Sequence, residues 1–179
     1  MHAAVALTGV PGTGKSTTAS RLPAGLRSME VSDFGLATGS ARPAGGSLTV
    51  DLPKMRREYR RSRPRVDVVV GHLAHLLPIR DVIVLRCHPE TLRARLERAG
   101  RGSEHDRREN YVAEALDAIL FEAVRPGRRV WEVDTTHRSP EAVARIVART
   151  VRRRPPPDWG RVDWLADPVV TEHLLEGAE

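Results

Sequence analysis

A glycine-rich segment near the start of the chain carries the residues with the most definite chemistry. Residues 9–16 read Gly-Val-Pro-Gly-Thr-Gly-Lys-Ser and match the pattern G-x-x-x-x-G-K-[ST] at every fixed position. Glycines let successive backbone N–H groups turn towards phosphates, and the following helix adds its free N–H groups and its dipole. In this pattern the lysine reaches the β- and γ-phosphates, and the hydroxyl ligates Mg²⁺. The segment therefore predicts a loop that binds ATP or GTP with magnesium.

The surroundings of this loop support the same interpretation. A predicted strand, Ala3–Thr8, precedes the loop and a predicted helix, Lys15–Leu22, follows it. All but two of the 29 lysine and arginine residues are arginine, and Lys15 is one of the exceptions. A lysine at this position supplies the compact point charge that phosphate binding uses. The alternative, a chance glycine turn, does not account for the complete match in this context.

The rest of the chain alternates short apolar segments with longer amphipathic ones, which predicts an α/β fold with a parallel sheet. The predicted strands are Ala3–Thr8, Ser28–Val31, Val66–Val70, Asp81–Cys87 and Arg129–Val133. Predicted helices cover Lys15–Leu22, Leu52–Arg61, Pro89–Ala99, a long segment from a Ser103 cap to about Val124, and a segment from a Ser139 cap to about Arg152. The segment Thr38–Ser47, rich in Gly, Ala, Ser and Pro, is predicted to be a mobile loop.

Composition narrows the class of protein. The chain has 179 residues, enough for one domain with its own core. Its net charge of +6 favours a polyanionic partner such as a nucleotide or RNA. The single cysteine, Cys87, excludes an internal disulfide. No segment approaches the ~18 consecutive apolar residues of a membrane span, and the first residues lack the basic region of a signal peptide. We therefore expect a cytoplasmic protein without membrane contact, monomeric in its free state.

Several further segments resemble one known family. They are Gly-His-Leu-Ala-His-Leu-Leu-Pro (71–78), Val-Leu-Arg-Cys-His-Pro-Glu-Thr-Leu-Arg-Ala-Arg-Leu (84–96), Glu-Asn-Tyr-Val-Ala-Glu-Ala-Leu-Asp-Ala-Ile-Leu (109–120), Glu-Val-Asp-Thr-Thr (132–136) and Val-Asp-Trp-Leu (162–165). With the loop, and without the Asn-Lys-x-Asp segment of GTPases, they are similar to the archaeal members of the adenylate kinase isoenzyme six type. The resemblance covers roughly residues 3–165.

This resemblance implies a three-layer P-loop kinase fold with a central parallel five-stranded sheet. Residues 1–165 would form one domain, with a short monophosphate-binding region at 28–51 and a short lid at 99–109, and 166–179 would be a C-terminal tail. The implied chemistry is adenylate kinase activity with ATP, Mg²⁺ and AMP as acceptor, together with ATPase activity. The family also implies a role in maturing 16S rRNA of the small ribosomal subunit, beside a small-subunit ribosomal protein and in possible contact with rRNA.

The resemblance and the loop pattern together assign roles to individual residues. The nucleotide-binding residues are Gly9, Gly12, Thr13, Gly14, Lys15, Ser16 and Thr17. Asp33, after the second strand, matches an acidic position that organises magnesium or its water, and Ser16 would ligate the metal. His72 matches the histidine of the family's Asp-x-His motif. Lys15, His72 and the lid residue Arg101 are the catalytic candidates, with Arg98 as the alternative to Arg101.

Three positions depart from the family pattern. Val70 stands where the family has the aspartate of Asp-x-His, so metal organisation must rest on Ser16, Asp33 or another group. Residues 34–36, Phe-Gly-Leu, stand where relatives often have an arginine for the acceptor phosphate, and Arg42 is the possible substitute. The lid's Arg-Gly pair aligns at 101–102 only with a gap. Two other functions therefore stay open: an assembly factor that uses ATP as a conformational switch, and a kinase for another small molecule.

The segment after the last predicted helix is ambiguous from sequence. Arg-Arg-Arg-Pro-Pro-Pro at 152–157 suits a solvated helix end or a contact with ribosomal RNA. Trp159 and Trp164 are expected to pin the tail onto the domain, and the alternative is that they anchor a protein partner.

Overall fold

The computed structural model describes residues 3–45 and 47–176, which form two separate sheets. In chain order the strands are β1 (Val5–Thr8), β2 (Ser28–Glu30), β3 (Ala41–Ala44), β4 (Ser47–Val50), β5 (Val68–Val70), β6 (Asp81–Arg86) and β7 (Arg129–Asp134). Five of them form a parallel sheet in the order β2-β5-β1-β6-β7, whereas β3 and β4 form a small antiparallel hairpin. The five-stranded parallel sheet confirms the predicted fold class.

Helices connect these strands and cover both faces of the sheet. They are α1 (Lys15–Ala19), α2 (Val31–Ala37), α3 (Leu52–Ser62), α4 (Pro89–Arg98), α5 (Glu104–Ala115), α6 (Ala118–Ala123), α7 (Pro140–Arg153) and α8 (Pro168–Glu176), with 3₁₀ turns at Ala74–Leu76 and Trp164–Ala166. The Ser103 and Asp106 side chains form the predicted capping box at the start of α5, and Ser139 caps α7. No helix among the described residues is long and apolar enough to cross a membrane.

Two apolar clusters pack on opposite faces of the sheet. On one face Ala6, Val69 and Val82 pack with residues of α2, α3 and α6. On the other face Val5, Val68 and Val70 pack with residues of α1 and α7. Both faces of β5 and β6 are thus buried, which explains their nearly continuous β-branched sequence. Burial of both faces leaves the carboxyl ends of the strands as the edge where polar residues gather.

The segment predicted as a mobile loop, Thr38–Ser47, contains most of the β3–β4 hairpin instead. Ala41 pairs with Val50 and Pro43 with Leu48 across the two strands. A sequence of Ala, Arg, Pro and Gly lacks the β-branched residues that predict a strand, so the prediction failed here. The hairpin continues from α2 and covers one side of the site described below, and it lies within the predicted monophosphate-binding region 28–51.

The predicted long helix after Ser103 is two helices. The chain leaves α5 at Leu116, and Asp117 takes a left-handed conformation, φ 56°, before α6 begins. The Asp117 carboxylate pairs with the guanidinium of Arg86 at the end of β6. Because Arg86 is distant in sequence, nothing in the local pattern of the helix could reveal this break.

The segment that follows α7 packs on the domain beside a buried ionic cluster. Arg86 Nε donates to Glu114 Oε1 at 2.7 Å and its Nη1 donates to Glu132 Oε1 at 2.6 Å, with all three side chains nearly inaccessible to solvent. Trp164 Nε1 donates to the same Glu114 oxygen at 3.1 Å. Helix α8, which the sequence pattern did not predict, buries Val170 against Tyr111. Trp164 therefore packs on the domain, whereas Trp159 is 49% exposed.

Candidate nucleotide site

The loop between β1 and α1 has the backbone that its glycines permit. Gly9, Gly12 and Gly14 have φ values of 142°, 94° and 93°, in the region that favours glycine. A Cβ added at Gly12 would lie 2.7 Å from Leu92 Cδ1 of α4, and one added at Gly9 would collide with the Leu85 carbonyl oxygen. Both glycines are therefore required by close packing as well as by conformation.

Thr13 ties the loop to its surroundings. Its hydroxyl donates to the Val10 carbonyl oxygen at 2.9 Å, and its own carbonyl accepts a hydrogen bond from Thr135 Oγ1 at 3.2 Å. The Thr135 carbonyl in turn accepts from Arg95 at 2.9 Å. The loop is thus held by the chain that follows β7, which rigidifies it before any ligand binds.

Lys15 begins α1 and points back across the loop. Its Nζ donates to the Val10 carbonyl oxygen at 2.9 Å. Burial lowers the pKa of Lys15 to about 8, the carboxylates of Glu30 and Glu114 oppose this shift, and Arg101 adds to it. An anionic ligand at this position would stabilise the ammonium form and raise that pKa again.

A cavity of about 850 Å³ opens in front of the loop. Its lining combines the phosphate loop with parts of β2, the hairpin, the end of β5 and the segment after α4. The size matches the range of small-molecule sites, about 300–1,000 Å³. The cations in its described lining are Lys15, Arg95, Arg101 and Arg138. The cavity therefore brings the phosphate loop together with two segments that are distant from it in sequence, the β3–β4 hairpin and the segment after α4.

His72 lies at the rim of this cavity, one residue after Gly71. Its carbonyl oxygen accepts a hydrogen bond from the Thr8 hydroxyl at 3.1 Å, which joins the ends of β5 and β1. The pKa of His72 is lowered by partial burial and then by the charges of Lys15 and His75. His75 lies deeper, with its ring between Thr8 at 2.9 Å and Glu122 at 2.8 Å, so it supports the strand end from behind.

Two acidic residues, one at the end of β2 and one shortly after it, lie in different environments. Asp33 is exposed on the first turn of α2, with a weak contact to Ser32 at 3.5 Å, and is not part of the cavity lining. Glu30, the last residue of β2, does line the cavity. Glu30 was not among the site residues predicted from the sequence. The available signal was its position near the end of a predicted strand, whereas its place near the phosphate loop depends on the strand order of the sheet.

The candidate arginines also differ in whether they line the cavity. Arg101 lines the cavity, whereas Arg98 is exposed and donates to the Ala94 carbonyl within α4. Arg95 faces the cavity but already donates to the carbonyls of Thr135 and Thr136. Arg42 is exposed on the hairpin and outside the cavity lining. The structure thus brings Arg101, and not Arg42, near Lys15.

The described residues contain no group of three or more His, Cys, Asp or Glu side chains arranged to hold a metal ion. Ser16 and Glu30 nevertheless present a hydroxyl and a carboxylate to the cavity, and both are oxygen donors of the kind that Mg²⁺ prefers. Mg²⁺ in phosphoryl-transfer sites takes one or two protein ligands and completes its shell with waters and substrate phosphates. The donor set fits that arrangement.

Comparison with known proteins agrees with this geometry. A family model described as an AAA domain matches residues 5–117. A protein of Pyrococcus abyssi named "Putative adenylate kinase" is 36% identical over 163 residues, 89% of this chain and 90% of the relative. A protein of the same name from Halobacterium salinarum is 42% identical, over 89% of this chain and 96% of the relative. Another, from Archaeoglobus fulgidus, is 39% identical, over 91% of this chain and 92% of the relative.

Among solved structures, a shikimate kinase from Bacteroides thetaiotaomicron aligns with a TM-score of 0.51, over 84% of this chain and 98% of that one. At 14% identity this likeness shows the fold alone. The fold and the phosphate loop define a P-loop kinase, an ATP-binding phosphotransferase. Within that class, the chain belongs to the family of the archaeal adenylate-kinase-like proteins just described.

Proposed function

We propose that this protein is an ATP-dependent nucleoside monophosphate kinase that converts ATP and AMP to two ADP. The observation that supports this most strongly is the position of Lys15, on an ordered phosphate loop, at the inner wall of a cavity of about 850 Å³. One side of the cavity is the loop, and the other is formed by β2 and the hairpin. Two ligands can therefore meet in it, and the names of the relatives make AMP the first acceptor to test.

Phosphoryl transfer depends mainly on positioning and on cations around the transferring group. The backbone N–H groups of residues 12–17 would hold the phosphates of ATP, with Lys15 on the β- and γ-phosphates. Arg101, in the predicted lid 99–109, would compensate charge on the moving phosphoryl group, and His72 would orient the acceptor or a water. Ser16 would ligate Mg²⁺, and the bound metal would neutralise phosphate charge beside Lys15. Asp33, the other residue predicted for the metal, is exposed outside the cavity lining.

The acceptor side of the cavity favours a second candidate function. Its described lining includes Glu30, Ser32, Ala41, Ser47 and Leu48 and no arginine, and Arg42 of the hairpin lies outside it. An acceptor phosphate would have to bind to Arg101, or the hairpin would have to move so that Arg42 reaches the cavity. An ATPase that uses water as acceptor has no such requirement. An ATP-dependent switch in assembly of the small ribosomal subunit is therefore the alternative, and a kinase for another small acceptor is the third.

The ribosomal role is a separate part of the proposal. It would involve a small-subunit ribosomal protein, rRNA processing and a monomeric protein in the cytoplasm. The net charge of +6 supports a polyanionic partner, and Arg152 and Arg153 are exposed at the end of α7. Co-sedimentation of the protein with small ribosomal subunits, with and without ATP, tests it. Absence from the subunit fractions under both conditions would exclude it.

The kinase is tested by following ADP in two mixtures. ATP with AMP should give ADP at least tenfold faster than ATP alone. Equal, slow release of ADP in both mixtures would favour the protein that uses ATP as a conformational switch. A panel of hydroxyl and phosphate acceptors in place of AMP would reveal another substrate, since the correct one alone would accelerate consumption of ATP.

A further inference from the structure

The carboxyl ends of β2 and β5 lie side by side in the sheet. Glu30 is the register partner of Val70, just as Met29 is the partner of Val69. Neighbouring residues at the same level of a parallel pair point to the same face, and adjacent strands are about 4.8 Å apart. A side chain at position 30 therefore emerges one strand away from a side chain at position 70, on the same face.

That face is the one covered by α1. Val70 packs in the cluster that includes Leu7 and Ala19, whereas Val69 packs on the opposite face. The first turn of α1 carries Ser16. The Glu30 side chain thus leaves β2 towards the helix that carries the hydroxyl predicted to ligate magnesium.

Glu30 is also the carboxylate that reaches the cavity. Among the described residues in its lining, no other residue is Asp or Glu. Burial raises the pKa of the Glu30 carboxyl above its usual value, and the neighbouring Ser16 hydroxyl and Lys15 ammonium oppose this shift. Glu30 thus lines the same cavity as Ser16 and Lys15 of the phosphate loop.

We propose that Glu30 holds the Mg²⁺ of the bound nucleotide, directly or through a metal-bound water, together with Ser16. In this chain Val70, on β5, stands at the position of the family's aspartate. The Glu30 carboxylate, on the neighbouring strand β2, would take over the role of that aspartate. Glutamate is one methylene longer than aspartate, which helps it reach across from the more distant strand. Asp33 is exposed outside the lining, so it would have no direct part. The inference rests on the proposed nucleotide site but not on the identity of the acceptor.

The test measures binding of a non-hydrolysable ATP analogue by calorimetry, with Mg²⁺ and with EDTA, so that no turnover is needed. In the wild type, Mg²⁺ should tighten binding. In Glu30→Gln this Mg²⁺-dependent gain should fall by about tenfold or more, the loss typical of outer ligands of a metal. Affinity in EDTA should be unchanged or higher, because a negative charge beside the phosphates is removed.

Two further variants make the result specific. Asp33→Asn removes a carboxylate from the same segment and should keep the wild-type gain. The double variant Glu30→Gln with Val70→Asp should recover part of the gain, since it returns a carboxylate to the same face. Mn²⁺ in place of Mg²⁺ gives a second readout, because electron paramagnetic resonance counts the ion bound in the ternary complex.

A wild-type gain from Mg²⁺ that persists in Glu30→Gln would overturn the inference and leave the nucleotide site intact. Loss of the gain in Asp33→Asn with Glu30→Gln unaffected would assign the role to Asp33. Failure of the wild-type protein to bind the analogue under either condition would instead contradict the proposed function itself. Thermal unfolding of each variant without nucleotide shows whether its fold is retained. If Glu30→Gln unfolds, Glu30→Asp replaces it, and its shorter carboxylate should also reduce the Mg²⁺-dependent gain.

Discussion

Lys15 Nζ donates a hydrogen bond to the Val10 carbonyl oxygen, five residues back in the same loop, at 2.9 Å. The ammonium group is thereby folded over the loop and held where phosphate oxygens would bind. Burial lowers its pKa to about 8. A residue that must be charged to bind phosphate is thus close to losing its proton near neutral pH, and this has a measurable consequence.

The affinity for ATP should fall as the pH rises above about 8. Lys15 of the free protein then loses its proton, whereas the bound state requires the charged form of this side chain. Binding near pH 8.5 should take up a proton, which calorimetry detects as a dependence of the enthalpy on the ionisation enthalpy of the buffer. The same depressed pKa lowers the free energy of unfolding below pH 8, and this penalty disappears between pH 8 and 10.5.

Lys54→Ala is the matched control for this experiment, since Lys54 is the other lysine and its Nζ binds the Gly39 carbonyl outside the loop. It should reproduce the wild-type pH profile, whereas Lys15→Ala should lose ATP binding at every pH. An affinity that stays constant between pH 7 and 9.5 in the wild type would argue against a buried, depressed Lys15.

Gly12→Ala should weaken both the fold and ATP binding. The substitution places a Cβ at a φ of 94° and 2.7 Å from Leu92 Cδ1. Left-handed strain costs about 1–3 kcal/mol of unfolding free energy, and the contact with Leu92 adds to it. Denaturant unfolding and a nucleotide titration measure the two effects.

Gly25→Ala provides the comparison for Gly12→Ala. Gly25 has a similar φ of 91° with no atom within 4 Å of an added Cβ, and it lies outside the loop. It should show the backbone strain without the additional packing cost and without loss of ATP affinity. Equal effects of the two substitutions on stability and on affinity would mean that close packing at Gly12 has no role.

Arg101→Ala should reduce turnover by about 10²–10³, the range found when one charge-stabilising donor is removed, with a smaller effect on ATP affinity. Arg101 lines the cavity and its charge acts on Lys15. Arg98→Ala, in which an exposed guanidinium on α4 is removed, discriminates between the two lid candidates. The Arg98 variant should retain the wild-type kcat, and the reverse pattern would assign the role to Arg98.

The sequence allowed prediction of the sheet and the loop because their signals are local. Buried strands such as β5 and β6 are nearly continuous in Val and Ile, and the loop glycines are set by backbone geometry over eight residues. The break at Asp117 depends on Arg86, 31 positions earlier, and the hairpin contains Ala and Pro where strands usually have branched residues. Those features arise from pairing between distant segments.

The same distinction applies to the site. The loop residues could be predicted from one motif. The place of Glu30 beside Val70, by contrast, follows from strand order β2-β5-β1, which no single segment encodes. Residue roles taken from the family, those of Asp33, His72 and Arg101, stay predictions until variants are measured.

Glu114→Gln should destabilise the fold by about 3 kcal/mol, near the lower limit for breaking a buried ion pair, because Glu132 and Asp117 still pair with Arg86. Glu114 Oε1 also accepts from Trp164 Nε1, and the amide oxygen of Gln can keep that bond, so the substitution removes mainly the charge. Chemical denaturation measures the change. Glu58→Gln, which removes an ion pair to the exposed Arg61, should cost less than about 1 kcal/mol. Similar values for the two variants would show that the buried cluster adds no particular stability.

The most direct test of the central claim follows the γ-phosphoryl group itself. ATP labelled on its γ-phosphate is incubated with AMP and Mg²⁺, and the products are separated. We expect the label to appear in ADP only when AMP is present, and Lys15→Ala to abolish the transfer. Label released solely as inorganic phosphate, at a rate independent of AMP, would contradict a nucleoside monophosphate kinase.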